Sequence, residues 1–301
     1  MRALQIEPVP PSGWAALAPF IFACNHSEGD VCCLHSHTGL DAAAYAEELR
    51  TLPAEEGRYV AAYAGAALVG MAGAEIDVEL GRAWLRGPLV AAGFDFAAVA
   101  AELLRALERE LPPQVLRHDV FVCERWAEGL AFFRAQGFGG EAAFDEFSAA
   151  EPPPPLPLPP GVQLVAAQRR WRAAIGGLHE AEFPSAYVTA DGLFAPDADD
   201  VHMRVALAGG EPAGYVRVHL DAQWQEGYVD FLAVLAAFRG RGIGRALLYE
   251  ALRWSFAQPG VRAVSLTVRK DRLAARALYA SAGFRRVRTC IGLRRVLPRQ
   301  P

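Results

Sequence analysis

Nothing in this 301-residue chain is apolar for long enough to cross a bilayer, because polar or charged residues break every hydrophobic run short of the ~18–20 residues a span needs. The opening MRALQIEPVP has neither the basic start nor the apolar centre of a secretory leader. Positive charge is not in excess either. At a formal net charge of −4 the chain lacks the basic face that general nucleic-acid binding requires. Cysteine is sparse: five residues cannot all pair, and a chain of this length needs no disulfide staples. These absences lead to the expectation of a cytoplasmic protein with reduced thiols and neither a membrane nor a nucleic-acid partner. Hydrophobic residues make up 52% of the sequence, which excludes disorder over most of it, and the length suits two ordinary domains.

What the chain does contain begins with a divider. EPPPPLPLPPG at 151–161 holds seven prolines, and proline fixes φ and removes the backbone donor, so the stretch reads as an extended, semi-rigid spacer. The same composition would also suit a proline-rich ligand for a partner domain. The two flanking halves resemble each other. AFFRAQGF at 131–138 and ALYASAGF at 277–284 close two gap-free segments, 120–138 and 266–284, each an apolar strand leading into a helix. Residues 59–76 lie over 203–220 at an offset of 144, both showing apolar runs broken by a Gly-containing turn, the mark of a β-hairpin. Apolar stripes of helical period follow, Val99, Leu103 and Leu107 in one half, Ile243, Leu247, Ala251 and Trp254 in the other. Each half begins with a short strand (4–6 and 162–165) and a Trp-bearing helix. The expected fold is therefore α/β (α+β), a central mixed sheet flanked by helices and occurring twice, over 1–150 and 162–301 with 151–161 as linker.

One stretch carries chemistry. The strand YVDFLAV at 228–234 runs through LAAF into RGRGIGRALL at 239–248. Gly240, Gly242 and Gly244 let the backbone turn tightly and keep side chains away from the amides, while the following helix, entered at Ile243, aims its unpaired N–H groups at the same spot. Arg239, Arg241 and Arg245 add cationic donors, which completes a cradle for linked phosphates. It has neither the Lys-Ser/Thr ending of an ATP-binding loop nor the G-x-G-x-x-G order of a dinucleotide fold.

Strand, R-G-R-G-I-G, helix, then the LTV strand, a helix and ALYASAGF resemble the GNAT acetyltransferase family over roughly 215–295. With its fainter echo in the first half, the whole chain is similar to tandem-GNAT proteins of the mycothiol synthase type. That resemblance implies two tandem GNAT-like domains and acetyl-CoA as co-substrate. Its pyrophosphate would be held by Arg239, Gly242 and Gly244 with Gly240, Arg241, Ile243 and Arg245 along the loop. It further implies that the preceding strand splays from its neighbour, so that Leu232, Ala233 and Val234 offer backbone groups to the pantetheine and the acetyl carbonyl. Tyr279 takes the place of the family's proton donor to the leaving thiolate, a role open to a phenolic hydroxyl, which ordinarily titrates near pH 10. Where the family often has an Asn, this chain has Arg272, which would reach a CoA phosphate or lie solvated, and Ala236 replaces a frequent proline. No metal is implied.

An attacking amine must also lose a proton. Asp230 is the first candidate to accept it, and strand alternation places Asp230, Leu232 and Val234 on one face with Phe231 and Ala233 on the other. His219 is the second. In the first half, the offset of 144 sets Asp95 against Arg239, Ala98 against Gly242, Ala100 against Gly244 and Arg86 against Asp230, while Phe133 faces Tyr279. Cradle and proton donor are both missing there, so a degenerate half is expected. Two further stretches bear on function. Cys24, His26, Cys32, Cys33, His35 and His37 could bind zinc, but without C-x-x-C pairs an ordinary loop serves as well. Asp191, Asp197, Asp199 and Asp200 could attract a cationic amine or lie solvated. The sequence thus points to an N-acetyltransferase acting on a primary amine of a small molecule, with a non-catalytic acyl-CoA sensor or assembly module as the rival, and leaves the oligomeric state open.

Overall fold

The computed structural model describes residues 4–26, 41–184, 186–194 and 200–298. They fall into two compact units, Met1–Phe144 with Arg288–Pro301, and Asp145–Val287. In the first unit the chain runs β1 (Gln5–Val9), α1 (Pro11–Trp14), α2 (Ala18–His26), α3 (Ala42–Thr51), β2 (Gly57–Ala64), β3 (Ala67–Asp77), β4 (Arg82–Val90), α4 (Phe96–Glu110), β5 (Arg117–Cys123) and α5 (Ala127–Ala135) into β6 (Gly139–Ala149). The second unit continues with β7 (Val162–Ala166), α6 (Arg172–Glu182), β8 (Val201–Ala208), β9 (Glu211–Asp221), β10 (Glu226–Val234), α7 (Ile243–Phe256), β11 (Ala263–Arg269), α8 (Leu273–Ser281) and β12 (Arg285–Val296).

These bounds differ from a division at the prolines. β12 from residue 288 onward counts with the first unit because Cys290–Val296 pair antiparallel with Cys123–Arg117. The first unit's strands therefore lie in the order β1-β2-β3-β4-β5-β12, the second unit's in the order β6-β11-β10-β9-β8-β7. Residues 151–161 belong to the second unit, where Pro153 is buried and Leu156 packs on the core. Among the described residues no helix is long and apolar enough to cross a membrane.

The local reasons are the ones the sequence shows. Val99, Leu103 and Leu107 are the buried stripe of α4, and Ile243, Leu247 and Ala251 that of α7. The β8–β9 hairpin turns on Gly209 and Gly210 at φ 62° and 89°, a pair of left-handed conformations that side chains resist. In the second unit, alternation along the strands builds two cores. Val216, Val218 and Val229 face α7, while Tyr215, Phe231 and Ala233 face α6 with Ile175 and Leu178.

Two irregularities in β10 matter for function. Its parallel pairing with β11 covers only Glu226, Gly227 and Tyr228, so the two strands part from Val229 onward. Its pairing with β9 slips between Val229 and Phe231, which makes Asp230 a bulged residue. The bulge overturns the expected alternation: Asp230 joins Phe231 on the α6 face, next to the β9 residues Arg217 and His219, instead of sharing a face with Leu232 and Val234.

The helix starts also correct the gap-free alignment of the halves. β4 and β10 correspond at an offset of 144, yet the connection to the next helix occupies 91–95 in one case and 235–242 in the other. The residue capping α4 is Asp95 and the one capping α7 is Gly242, so Asp95 stands against Gly242 and not Arg239.

Candidate active site

Where β10 leaves β11, its edge backbone groups toward β11 lack a ladder partner from Val229 to Val234, while the other edge stays paired with β9 through Val234 and Gly214. The opening leads straight to the glycine loop. After a short turn at Ala236–Phe238, Gly240 and Gly242 take φ values of 75° and 78°, and α7 begins. The first helical bond of α7 is Ala246 N–H to Gly242 C=O at 3.0 Å, and no side chain caps the end. The amides of Ile243, Gly244 and Arg245 are therefore the helix's open donors. A Cβ on Gly244 would stand 3.6 Å from both Leu278 Cδ2 and Val234 Cγ2 and 3.8 Å from Leu232 Cδ2, so the missing side chain leaves a slot between helix and splayed strand.

The arginines divide in two. Arg239 donates through Nε to Val234 C=O at 2.9 Å and pairs with Glu182, whose other oxygen is 3.7 Å from Arg272. Arg241 lies over the Phe238 ring, and Arg245 lies over Tyr249 and donates to its hydroxyl at 3.0 Å. Leu232 and Val234 face α7, whereas Ala233 faces the α6 side. Tyr279 sits in the α7-side core between Phe147 and Phe284, with ring centroids 6.2 and 5.9 Å away. Burial pushes its hydroxyl up to about 12, so it carries its proton at neutral pH.

On the opposite face the Asp230 side chain is 0% exposed and takes three donors, the Tyr187 hydroxyl, an Arg217 guanidinium nitrogen and His219 Nδ1 at 2.7 Å. A ring nitrogen that faces a carboxylate must carry hydrogen. Neutral His219 therefore has its lone pair on Nε2, and its side chain is 35% exposed. Burial lowers the His219 pKa, but the bond and charge of Asp230 outweigh it and leave the value raised. His219 stands in register with Tyr228, where β10 and β11 begin to part. Phe231 beside it meets His179, Phe183 and Tyr187 at centroid distances of 4.7, 5.0 and 5.3 Å. His179 donates from Nε2 to Val188 C=O and accepts from the Tyr215 hydroxyl at Nδ1, and burial holds its pKa down, which keeps it neutral and structural.

Among its described residues the first unit has no counterpart of this arrangement. Asp95 Oδ1 accepts from Ala98 N–H at 3.1 Å and closes the end of α4. Phe133 is fully buried among Phe132 and Phe138. A pair between buried Arg86 and half-buried Glu75 occupies the positions of Asp230 and His219, and the Tyr59 ring lies 2.3 Å from where Gly73, the counterpart of Arg217, would place a Cβ.

Sequence reasoning missed Glu182, Tyr187 and Arg217. Arg217 was legible as the residue two before His219 on one strand face, whereas the other two reach the site only through tertiary packing. Asp191 pairs with Arg172, and Asp200 is exposed. Cys24 lies in α2, its thiol pushed up to about 11 by burial. Asp197, Asp199, Cys32, Cys33, His35, His37 and the side chain of His26 fall outside the described residues.

Splayed strand, bare glycine loop and uncapped helix are joined by a sequence signal: residues 169–284 match the Acetyltransferase (GNAT) family. This segment belongs to the GNAT family. The GNAT segment is also similar to the N-alpha-acetyltransferase RimI of Mycobacterium tuberculosis, with 45% identity over 96 residues. That stretch is 31% of this chain and 56% of RimI, so the match spans about half the relative's length. Among solved structures, a GCN5-related N-acetyltransferase from Sphaerobacter thermophilus superposes with a TM-score of 0.76 at 18% identity, covering 97% of this chain and 95% of that one. A tandem GNAT protein from the clavulanic acid biosynthesis pathway superposes with a TM-score of 0.67 at 16% identity, covering 99% of each. At such identities the likeness establishes the fold, two tandem GNAT-like domains.

Proposed function

We propose that the chain is an N-acetyltransferase that moves acetyl from acetyl-CoA to a primary amine of a small molecule, with the chemistry confined to the second unit. The observation that carries this is the meeting of an uncapped glycine-loop helix end with a strand that has left its neighbour. The loop amides of 240–245 and the surrounding arginines suit the pyrophosphate, and the slot beside Gly244 suits the pantetheine arm. Leu232, Ala233 and Val234 are assigned the backbone contacts to that arm and the acetyl oxygen. Arg272 is assigned a phosphate contact, entered by exchanging its Glu182 partner. The relative's name, an N-alpha-acetyltransferase, supports an amine acceptor.

In this scheme His219 Nε2 accepts the proton of the incoming amine, and Asp230 positions the ring instead of touching the acceptor. The amine nitrogen, now neutral, bonds to the acetyl carbon, an N–H of the splayed strand stabilises the oxyanion, and the carbon–sulfur bond breaks with Tyr279 supplying the thiolate's proton, which it regains through solvent from the nitrogen as the amide forms. Products are the acetamide and free CoA. The first unit, with its capped helix end, Phe133 and Arg86–Glu75 pair, is the degenerate partner.

Two measurements test this. Tyr279→Phe is expected to lower kcat about a hundredfold, read as free-thiol release with a panel of amines, while acetyl-CoA affinity stays unchanged. Tight acetyl-CoA binding by the parent with no turnover of any amine would instead establish an acyl-CoA sensor. Gly242→Val forces a side chain into φ 78° and brings its Cβ to 3.3 Å from Pro159. It is expected to weaken acetyl-CoA binding about five- to thirtyfold by calorimetry, the equivalent of about 1–2 kcal/mol of left-handed strain. Unchanged affinity would remove the loop from the site.

A further inference from the structure

One sheet face of the first unit gathers three arginines on one carboxylate. Arg82 and Arg117 both donate through Nε to Asp119 Oδ2 at 2.6 Å, and Arg294 donates through Nε to Oδ1 at 2.8 Å. Each guanidinium uses only that nitrogen, so the paired terminal nitrogens of all three have no hydrogen-bond partner among the described residues. Asp77, in register with Arg82, does not balance the excess, because its carboxylate accepts from Leu80 N–H and makes no ion pair among the described residues.

The cluster is graded from inside to outside. The Arg82 side chain is 7% exposed and stacks 3.6 Å over Trp84, Arg117 is 20% exposed and Arg294 48%. Burial pulls Arg82 down to about 10 against the opposing pull of Asp119, and Arg117 and Arg294 deepen the fall. Guanidinium groups packed this closely around a single charge call for a further counter-ion.

The fold does not need them. In the second unit the same strand pairing is made with Glu226 in the place of Arg82, Ala263 in that of Arg117 and Ser265 in that of Asp119, and the Ser265 hydroxyl simply donates to Glu226. Ser148 takes the place of Arg294. The arginines are thus a property of the first unit alone, on strands whose twins pair without them.

We propose that Arg82, Arg117 and Arg294 form a second binding site, for a phosphate group, independent of the acetyl-CoA loop. The planar forks left free suit the oxygens of a phosphate dianion, Asp119 holds the three in place, and the graded exposure gives the site a floor at Arg82 and a mouth at Arg294.

The test uses the full chain saturated with CoA, so that the glycine loop is already occupied, and titrates inorganic phosphate and glycerol 3-phosphate at constant ionic strength. Both are expected to raise the melting temperature and give a saturable heat. Tighter binding of the ester would assign the site to phosphorylated small molecules, and equal binding would assign it to free phosphate. Arg117→Gln with Arg294→Gln, which keeps the buried Arg82–Asp119 pair, is expected to weaken phosphate binding about ten- to a hundredfold. The single Arg294→Gln, at the most exposed position, is expected to weaken it several-fold and covers the case of a double variant that does not fold. No saturable binding to the parent, or equal binding to parent and Arg294→Gln, would overturn the proposal.

Discussion

Asp230→Ala is expected to cost about 3–5 kcal/mol of stability, because it strips the ion-pair partner from Arg217, whose side chain is only 15% exposed. Asp230 is the only such partner Arg217 has among the described residues, and the change also orphans the Tyr187 hydroxyl and His219 Nδ1. The bulge that brings Asp230 to this face has no other charge to offer. Asp230→Asn keeps the shape and one acceptor oxygen but loses the charge and turns an NH2 toward one of the donors, so its cost should be smaller than that of alanine without being negligible. Urea unfolding of the three proteins decides the matter: an alanine variant within about 0.5 kcal/mol of the parent would mean that the triad of donors contributes no net stability.

His219→Ala is expected to lower kcat by about 10²–10⁴-fold, the range for a positioned general base. The pH profile separates this from a packing defect. In the proposed mechanism His219 works as the neutral base, and its pKa is raised, so kcat/KM should climb through a pKa above about 6.5, the ordinary imidazole value. In Asp230→Asn that limb should move to lower pH, since the lost carboxylate is what holds the value up. The linked stability runs the opposite way. Protonated His219 stabilises the fold below about pH 6.5, and that contribution is lost as pH rises through the folded pKa. An unchanged profile in His219→Ala would return the proton to another acceptor.

The duplicated α/β architecture was legible from the chain because its signals are local. Gly209-Gly210 marks a hairpin, Val99, Leu103 and Leu107 mark a helix face, and R-G-R-G-I-G marks a glycine turn into a helix. Three features were not legible, each for a physical reason. A bulge moves Asp230 across the sheet, and strict alternation along β10 cannot foresee an unpaired residue. The three-residue difference between 91–95 and 235–242 hides in a gap-free comparison, so Asp95 lay three places from the glycine it replaces. Glu182 at the end of α6 and Tyr187 in the segment after it lie far along the chain from the residues they meet, and no spacing announces them.

The pairing of 290–296 with β5 has a consequence for biosynthesis. The unit that leaves the ribosome first carries a bare strand edge at 117–123 until residues 290–296 have emerged, since its closing strand is translated after the second unit. Severing the chain at the prolines would put β5 and β6 on one product and β11 and β12 on the other, so that the β5 edge would lose β12 and the β11 edge would lose β6.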